Sequence, residues 1–107
     1  MKGVTSMKRI MLVCSAGMST SLLVTKMQTA AKEMGQEIEI FAVAEADSKN
    51  QKPVDLVLLG PQVRFLMAQM QKNFAVSGTP VAIIDSMLYG TMNGKAVLET
   101  AMTLMKA

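Results

Sequence analysis

Apolar residues in this chain come in two arrangements that alternate along its length. Short unbroken runs give way to longer stretches in which apolar side chains recur every three or four positions. Arg9-Ile10-Met11-Leu12-Val13-Cys14 is a run of the first kind and suits a strand buried on both faces of a parallel sheet. Beyond the small residues that follow it, Leu22, Leu23, Lys26, Met27, Ala30, Ala31 and Met34 fall at helical spacing. Ser19 or Thr20 is the expected N-cap of that helix, and Gly35 stands where a left-handed C-terminal cap belongs. Glu37 to Val43 alternates polar with apolar, as a half-exposed edge strand does. Glu45 to Pro53 reads as a polar connection or a short helix.

Val54 to Leu59 is the next buried run, stopped by Gly60-Pro61, and Val63 to Phe74 has helical period. Gly78 and Pro80 punctuate the chain before Val81-Ala82-Ile83-Ile84, the last strand. Asp85 to Gly94 reads as a loop. Lys95 to Lys106 closes the chain as an amphipathic helix with Ala96, Val97, Ala101, Leu104 and Met105 facing inward. Strands alternating with helices predict an α/β fold with right-handed crossovers and helices on both faces of a four-stranded parallel sheet. With the half-exposed second strand on the outside the order is 2-1-3-4, and the chain reverses direction between the first and third strands. Ligands of open α/β sheets bind at such a switch. It brings Cys14-Ser15-Ala16-Gly17 beside Gly60-Pro61-Gln62.

The composition narrows what this frame can do. A chain of 107 residues, 50% of them hydrophobic, fits one compact domain, here expected over 7–107. Residues 1–6 show no period before a second methionine at Met7, and are expected to be a disordered leader. No apolar run approaches the roughly 20 residues of a membrane span, and the first residues lack the pattern of a signal peptide, so a cytoplasmic protein without membrane insertion is expected. The net charge of +3 comes from scattered basic residues, and aromatics are 4% of the chain, which speaks against nucleic acid. Of the twelve methionines, Met67 with Met70 and Met102 with Met105 are spaced for a buried helical stripe, whereas Met18 and Met87 fall in predicted loops.

Cys14 is the single cysteine and there is no histidine. An internal disulfide, a zinc site and a Cys-His or Ser-His-Asp pair are therefore excluded, and no metal or other cofactor is expected. A thiol at a strand end, followed by a small-residue loop that opens a helix, lies among backbone N–H groups with the helix dipole behind it. Such a place favours negative charge, whether a thiolate or the oxygens of a phosphate carried on that sulfur. Free cysteines more often simply fill cores. Here, however, the seven residues Ser15, Ala16, Gly17, Met18, Ser19, Thr20 and Ser21 are all small or polar except Met18, unlike an ordinary strand-to-helix loop. Cysteine phosphatases share the layout but place a phosphate-clamping Arg six residues after the cysteine, where this chain has Thr20. Without that clamp, hydrolysis is expected to be slow. The site is suited to carrying phosphate, with a low-molecular-weight cysteine phosphatase as the alternative. A redox carrier would need a partner thiol, and a pure interaction module would leave Cys14 inert.

The segment Cys14-Ser15-Ala16-Gly17-Met18-Ser19-Thr20-Ser21-Leu22-Leu23 resembles the active-site segment of the B subunits of lactose- and cellobiose-type sugar phosphotransferase systems. Leu58-Leu59-Gly60-Pro61-Gln62-Val63 and Ile84-Asp85-Ser86-Met87-Leu88-Tyr89-Gly90 resemble that family as well, and the likeness runs from about Lys8 to the C-terminus. The resemblance implies that Cys14 takes phosphate from a phosphohistidine of the A subunit (EIIA). It then passes the phosphate to a sugar, of the β-linked cellobiose or chitobiose class, entering through the membrane C subunit (EIIC). Ser15 through Ser21 would hold the phosphate oxygens, and Gly60, Pro61, Gln62, Asp85 and Tyr89 are candidates to wall the cleft. Asp85 is equally suited to cap a helix, since an unpaired carboxylate beside a phosphocysteine would repel it. A monomer that meets both partners transiently is expected.

Overall fold

The computed structural model describes residues 7–14, 18–50 and 53–106. The expected leader and Ser15, Ala16 and Gly17 lie outside the described residues. Four strands form one parallel sheet: β1 (Lys8–Cys14), β2 (Ile38–Ala44), β3 (Leu56–Leu59) and β4 (Val81–Ile83). Their order is β2-β1-β3-β4, as the burial pattern of the sequence predicts. Period-two alternation sends the side chains of β1 to opposite faces. Ile10 and Leu12 pack against α1 (Met18–Glu33) and the closing helix, Gly94–Lys106. Met11 and Val13 pack against the segment after β3, a 3₁₀ turn over Pro61–Leu66 that leads into α2 (Met67–Phe74). All four of these β1 side chains are fully buried, so the strand that ends at Cys14 belongs to both cores.

Several local expectations are corrected. The helix expected over 63–74 is broken: Val63, with φ −118° and ψ 26°, kinks the 3₁₀ stretch from within, and α2 begins only at Met67. The stretch from Asp85 to Gly94, read as a loop, contains a helix α3 (Ser86–Gly90), so the closing helix is α4. Glu45–Asn50 is a 3₁₀ turn, the short-helix form of the expected connection. Ser19 and Thr20 are not N-caps, because α1 already begins at Met18. Met18, expected in a loop, is therefore helical, and Met87 lies in α3.

The buried stripe of α1 is also rotated from the expected one. Thr20, Leu23, Val24, Met27, Ala30 and Ala31 face the core, while Leu22 and Lys26 are exposed. Both stripes satisfy helical spacing. The one adopted turns Thr20, 1% exposed, into the molecule. In α4, Val97 and Ala101 are buried as expected, joined by Leu98, while Ala96, Leu104 and Met105 are half-buried.

The C-terminal cap of α1 is as expected. Gly35 has φ +70°, and the N–H groups of Gly35 and Gln36 donate to the carbonyls of Lys32 and Ala31 at 3.1 and 2.9 Å. That is the paired-bond Schellman termination, which needs a left-handed residue after the helix.

Candidate active site

The carboxyl ends of β1, β3 and β4 are held level by backbone bonds that continue past the strands. The Gly60 N–H donates to the Val13 carbonyl at 3.0 Å, and the Ile84 N–H donates to the Leu59 carbonyl at 2.8 Å. Whatever follows these strands must therefore emerge at one end of the sheet, at the switch between β1 and β3. Three segments do so: the chain leading into α1, the turn at Gly60-Pro61-Gln62, and Asp85 leading into α3.

Cys14 is the last residue of β1, paired in register with Ala44. It has the parity of Ile10 and Leu12, which places its side chain on the α1 and α4 side of the sheet. The side chain is 6% exposed and Sγ lies 3.9 Å from the Val43 carbonyl oxygen, the range of a weak thiol contact. Four residues later the chain is helical from Met18, so the start of α1 follows the thiol closely. Met18, Ser19, Thr20 and Ser21 form its first turn. Thr20 is buried, and Ser21 is exposed, its carbonyl accepting a bond from Thr25 Oγ1 at 3.2 Å.

The structure brings three of the candidate residues into contact. Thr20 Oγ1 and the Tyr89 hydroxyl are 2.7 Å apart, and Gln62 Nε2 donates to that same hydroxyl at 3.0 Å. One residue from each emerging segment thus meets at a single phenolic oxygen. Thr20 and Tyr89 are 69 positions apart, and no sequence pattern pairs them. Their meeting follows from α3, which carries Leu88 and Tyr89 onto the α1 and α4 side of the core. Had the short helix been anticipated between Asp85 and Gly90, the reach of Tyr89 would have been the signal.

Gly60 is buried and has φ −63° and ψ 151°, a conformation open to any residue. A larger residue there would displace only the tip of the exposed Gln62 side chain. A Cβ there would fall on Gln62 Oε1, and it would sit 3.3 Å from Gln62 Cδ and 3.8 Å from Tyr89 Cε2. Pro61, half-buried, opens the 3₁₀ turn that carries Gln62. Asp85 caps a helix. Its Oδ2 accepts the Met87 and Leu88 N–H groups, both at 3.1 Å, as the N-cap of α3.

Residues 9–100 match the family described as "PTS system, Lactose/Cellobiose specific IIB subunit". The chain is 47% identical to the oligo-beta-mannoside-specific EIIB component of Bacillus subtilis (strain 168), over 92% of this chain and 97% of that protein. It is 48% identical to the galactose-specific EIIB component of Lactococcus lactis subsp. cremoris (strain MG1363), and 47% identical to the cellobiose-specific one of Lactococcus lactis subsp. lactis (strain IL1403). Each of these covers 92% of this chain and 96% of the relative.

Among solved structures, the cellobiose-specific phosphotransferase IIB component of Borrelia burgdorferi superposes with a TM-score of 0.76 at 39% identity, over 94% of both chains. The lactose-specific IIB domain of Streptococcus pneumoniae shares the fold alone, with a TM-score of 0.83 at 16% identity over 92% of this chain and 97% of that one. Among the described residues no helix is long and apolar enough to cross a membrane. A match over most of the length to one family, by relatives that are nearly half identical, assigns the chain: it belongs to the lactose/cellobiose-specific IIB subunits of the sugar phosphotransferase system.

Proposed function

We propose that residues 7–107 form one cytoplasmic phosphocarrier domain, preceded by a leader over 1–6, in which Cys14 carries the phosphoryl group. In the first transfer, the thiolate sulfur of Cys14 attacks the phosphorus of a phosphohistidine on the A subunit. The P–N bond breaks as the P–S bond forms, and the histidine nitrogen leaves with the electron pair. In the second, a hydroxyl oxygen of a sugar held by the membrane C subunit attacks the same phosphorus. The P–S bond breaks, the thiolate is regenerated, and the hydroxyl proton passes to solvent or to a base of the C subunit. Both are in-line displacements that depend on positioning and on stabilising the charge of the transferring group. N–H groups of Ser15 through Ser21 supply that stabilisation at the start of α1.

The observation that carries the reading is the place of Cys14 at the end of β1, at the switch between β1 and β3 and just ahead of α1, in a chain of this family. Nothing favours the phosphatase alternative: position six after Cys14 is Thr20, whose single hydroxyl cannot make the bidentate clamp of an Arg. For the sugar we propose a β-linked disaccharide of the cellobiose or chitobiose class. Two of the three relatives are named for cellobiose and for oligo-beta-mannosides, although the one named for galactose is as similar. The working unit is a monomer.

Intact mass after incubation with phosphoenolpyruvate, the general phosphotransferase proteins and a cognate A subunit tests the reading. One phosphate on the parent chain and none on Cys14→Ala is the expected result. An uncharged parent chain in the presence of a demonstrably charged A subunit would sink it.

A further inference from the structure

One bond of the three-residue contact at Tyr89 has a set direction. An amide nitrogen can only donate, so the bond from Gln62 Nε2 makes the phenolic oxygen an acceptor. The phenol's own proton is then available for the oxygen 2.7 Å away, Thr20 Oγ1. Of the two senses open to that bond, the one in which Tyr89 donates leaves Thr20 a proton to give. Bonds arranged head to tail polarise one another, so the last hydroxyl of such a chain is a better donor than an isolated one. Thr20 is buried in the first turn of α1, whose start follows Cys14 closely, and Cys14 faces the same side of the sheet.

We propose that Gln62, Tyr89 and Thr20 form a directed hydrogen-bond chain, amide to phenol to hydroxyl, that presents the Thr20 proton to a phosphoryl oxygen on Cys14. The proposal rests on the carrier reading above and deepens it. Thr20 would touch the transferring group, whereas Gln62 and Tyr89 act through it as positioning residues. Gly60 belongs to the same device. Its backbone conformation does not call for glycine, but a Cβ would occupy the place of Gln62 Oε1. The missing side chain is what lets the Gln62 carboxamide fold back and aim Nε2 at Tyr89. The assignment also explains why Thr20 rather than an apolar residue occupies this core position: its hydroxyl is paired on one side and has a proton to give on the other.

The test compares the parent chain with Tyr89→Phe, Gln62→Ala, Gly60→Ala and the double variant Tyr89→Phe/Gln62→Ala. Single-turnover transfer from the phosphorylated A subunit gives the rate. Because Gln62 is exposed and open to a docked partner, a second reading avoids the partner: the titration midpoint of the phosphocysteine followed by its ³¹P signal. Thermal melts confirm that each variant is folded. Each single variant should slow transfer by about a factor of ten, and the double variant should be no slower than the slower single one, since all cut the same chain.

A donor to the phosphoryl dianion lowers its titration midpoint, so weakening that donor should raise the midpoint by about half a pH unit in every variant. A merely structural Tyr89 would leave the midpoint where it is in the parent. Parent-like rates, losses that multiply in the double variant, or unmoved ³¹P midpoints would each overturn the chain while leaving the carrier reading intact. A parent chain that takes up no phosphate from a charged A subunit would overturn both.

Discussion

At Gly94 a larger residue has no room. The residue is buried where α4 begins, and a Cβ would stand 2.6 Å from the Lys26 carbonyl carbon and 2.7 Å from the Met27 nitrogen, both backbone atoms of α1. A side-chain tip can swing aside, but two helix backbones cannot separate without loosening the core between them. Gly94→Ala should therefore destabilise the fold by about 1–3 kcal/mol, the range of overpacked cores, read as a lowered midpoint in denaturant with an unchanged slope. A midpoint at or above that of the parent would show that α1 and α4 are less closely packed. In the sequence Gly94 looked only like the end of a loop, because a close approach between helices leaves no local trace. Gly35 was legible for the opposite reason: its left-handed φ serves a helix end visible in the same stretch of chain. Met92 takes the equivalent left-handed position after α3, with φ 54°. A methionine gives no hint of that role, so the sequence carries no end signal for the helix before it.

At the scale of elements, α3 matters most and was the least legible. Five residues between Asp85 and Thr91 are too few for periodicity to register, and their Asp and Gly look like turn chemistry. None of its residues is fully buried, so its cap carries much of its stability. Asp85 Oδ2 satisfies two N–H groups at its start. Asp85→Ala should cost about 1 kcal/mol, while Asp85→Asn, which keeps a side-chain oxygen, should recover most of that in the same thermal melts. If instead Asn proves as damaging as Ala, the charge of Asp85 has a role beyond capping. Because α3 carries Tyr89, the Ala variant should also slow phosphoryl transfer, as a fraction of the molecules lose the contact with Thr20 and Gln62. The longer elements were legible because burial writes itself into their patterns. From Ile10 to Cys14 in β1 and throughout β3 every residue is apolar and buried, because both faces are covered, whereas β2, at the edge, buries only Ile40 and its alternation is confined to the polar Glu37 and Glu39 at its start. The site was legible to the same depth. Cys14 and its small-residue loop stand together in the sequence, whereas the meeting of Thr20, Gln62 and Tyr89 exists only once the sheet has aligned three segments.

For the whole molecule the decisive feature is that the two central strands, β1 and β3, are shared by two cores. β1 is paired with β2 over seven positions and with β3 over four, and it sends Ile10 and Leu12 to one helical layer and Met11 and Val13 to the other. It cannot open without exposing both layers, so its amides should exchange with solvent only when the whole domain unfolds. The amides of α3, with no fully buried residue, should exchange through local opening and far faster. Leu12→Ala separates the two routes. Removing this fully buried side chain should cost about 3 kcal/mol of global stability. The amides of β1 and β3 should then lose protection by the same free energy as is measured in denaturant, while exchange in α3 stays close to that of the parent. A β1 that loses markedly less protection than the domain loses stability would mean that the strand opens on its own. The position of Cys14 would then not be fixed by the global fold, and the rigid placement on which the proposed transfer depends would have to come from its partners.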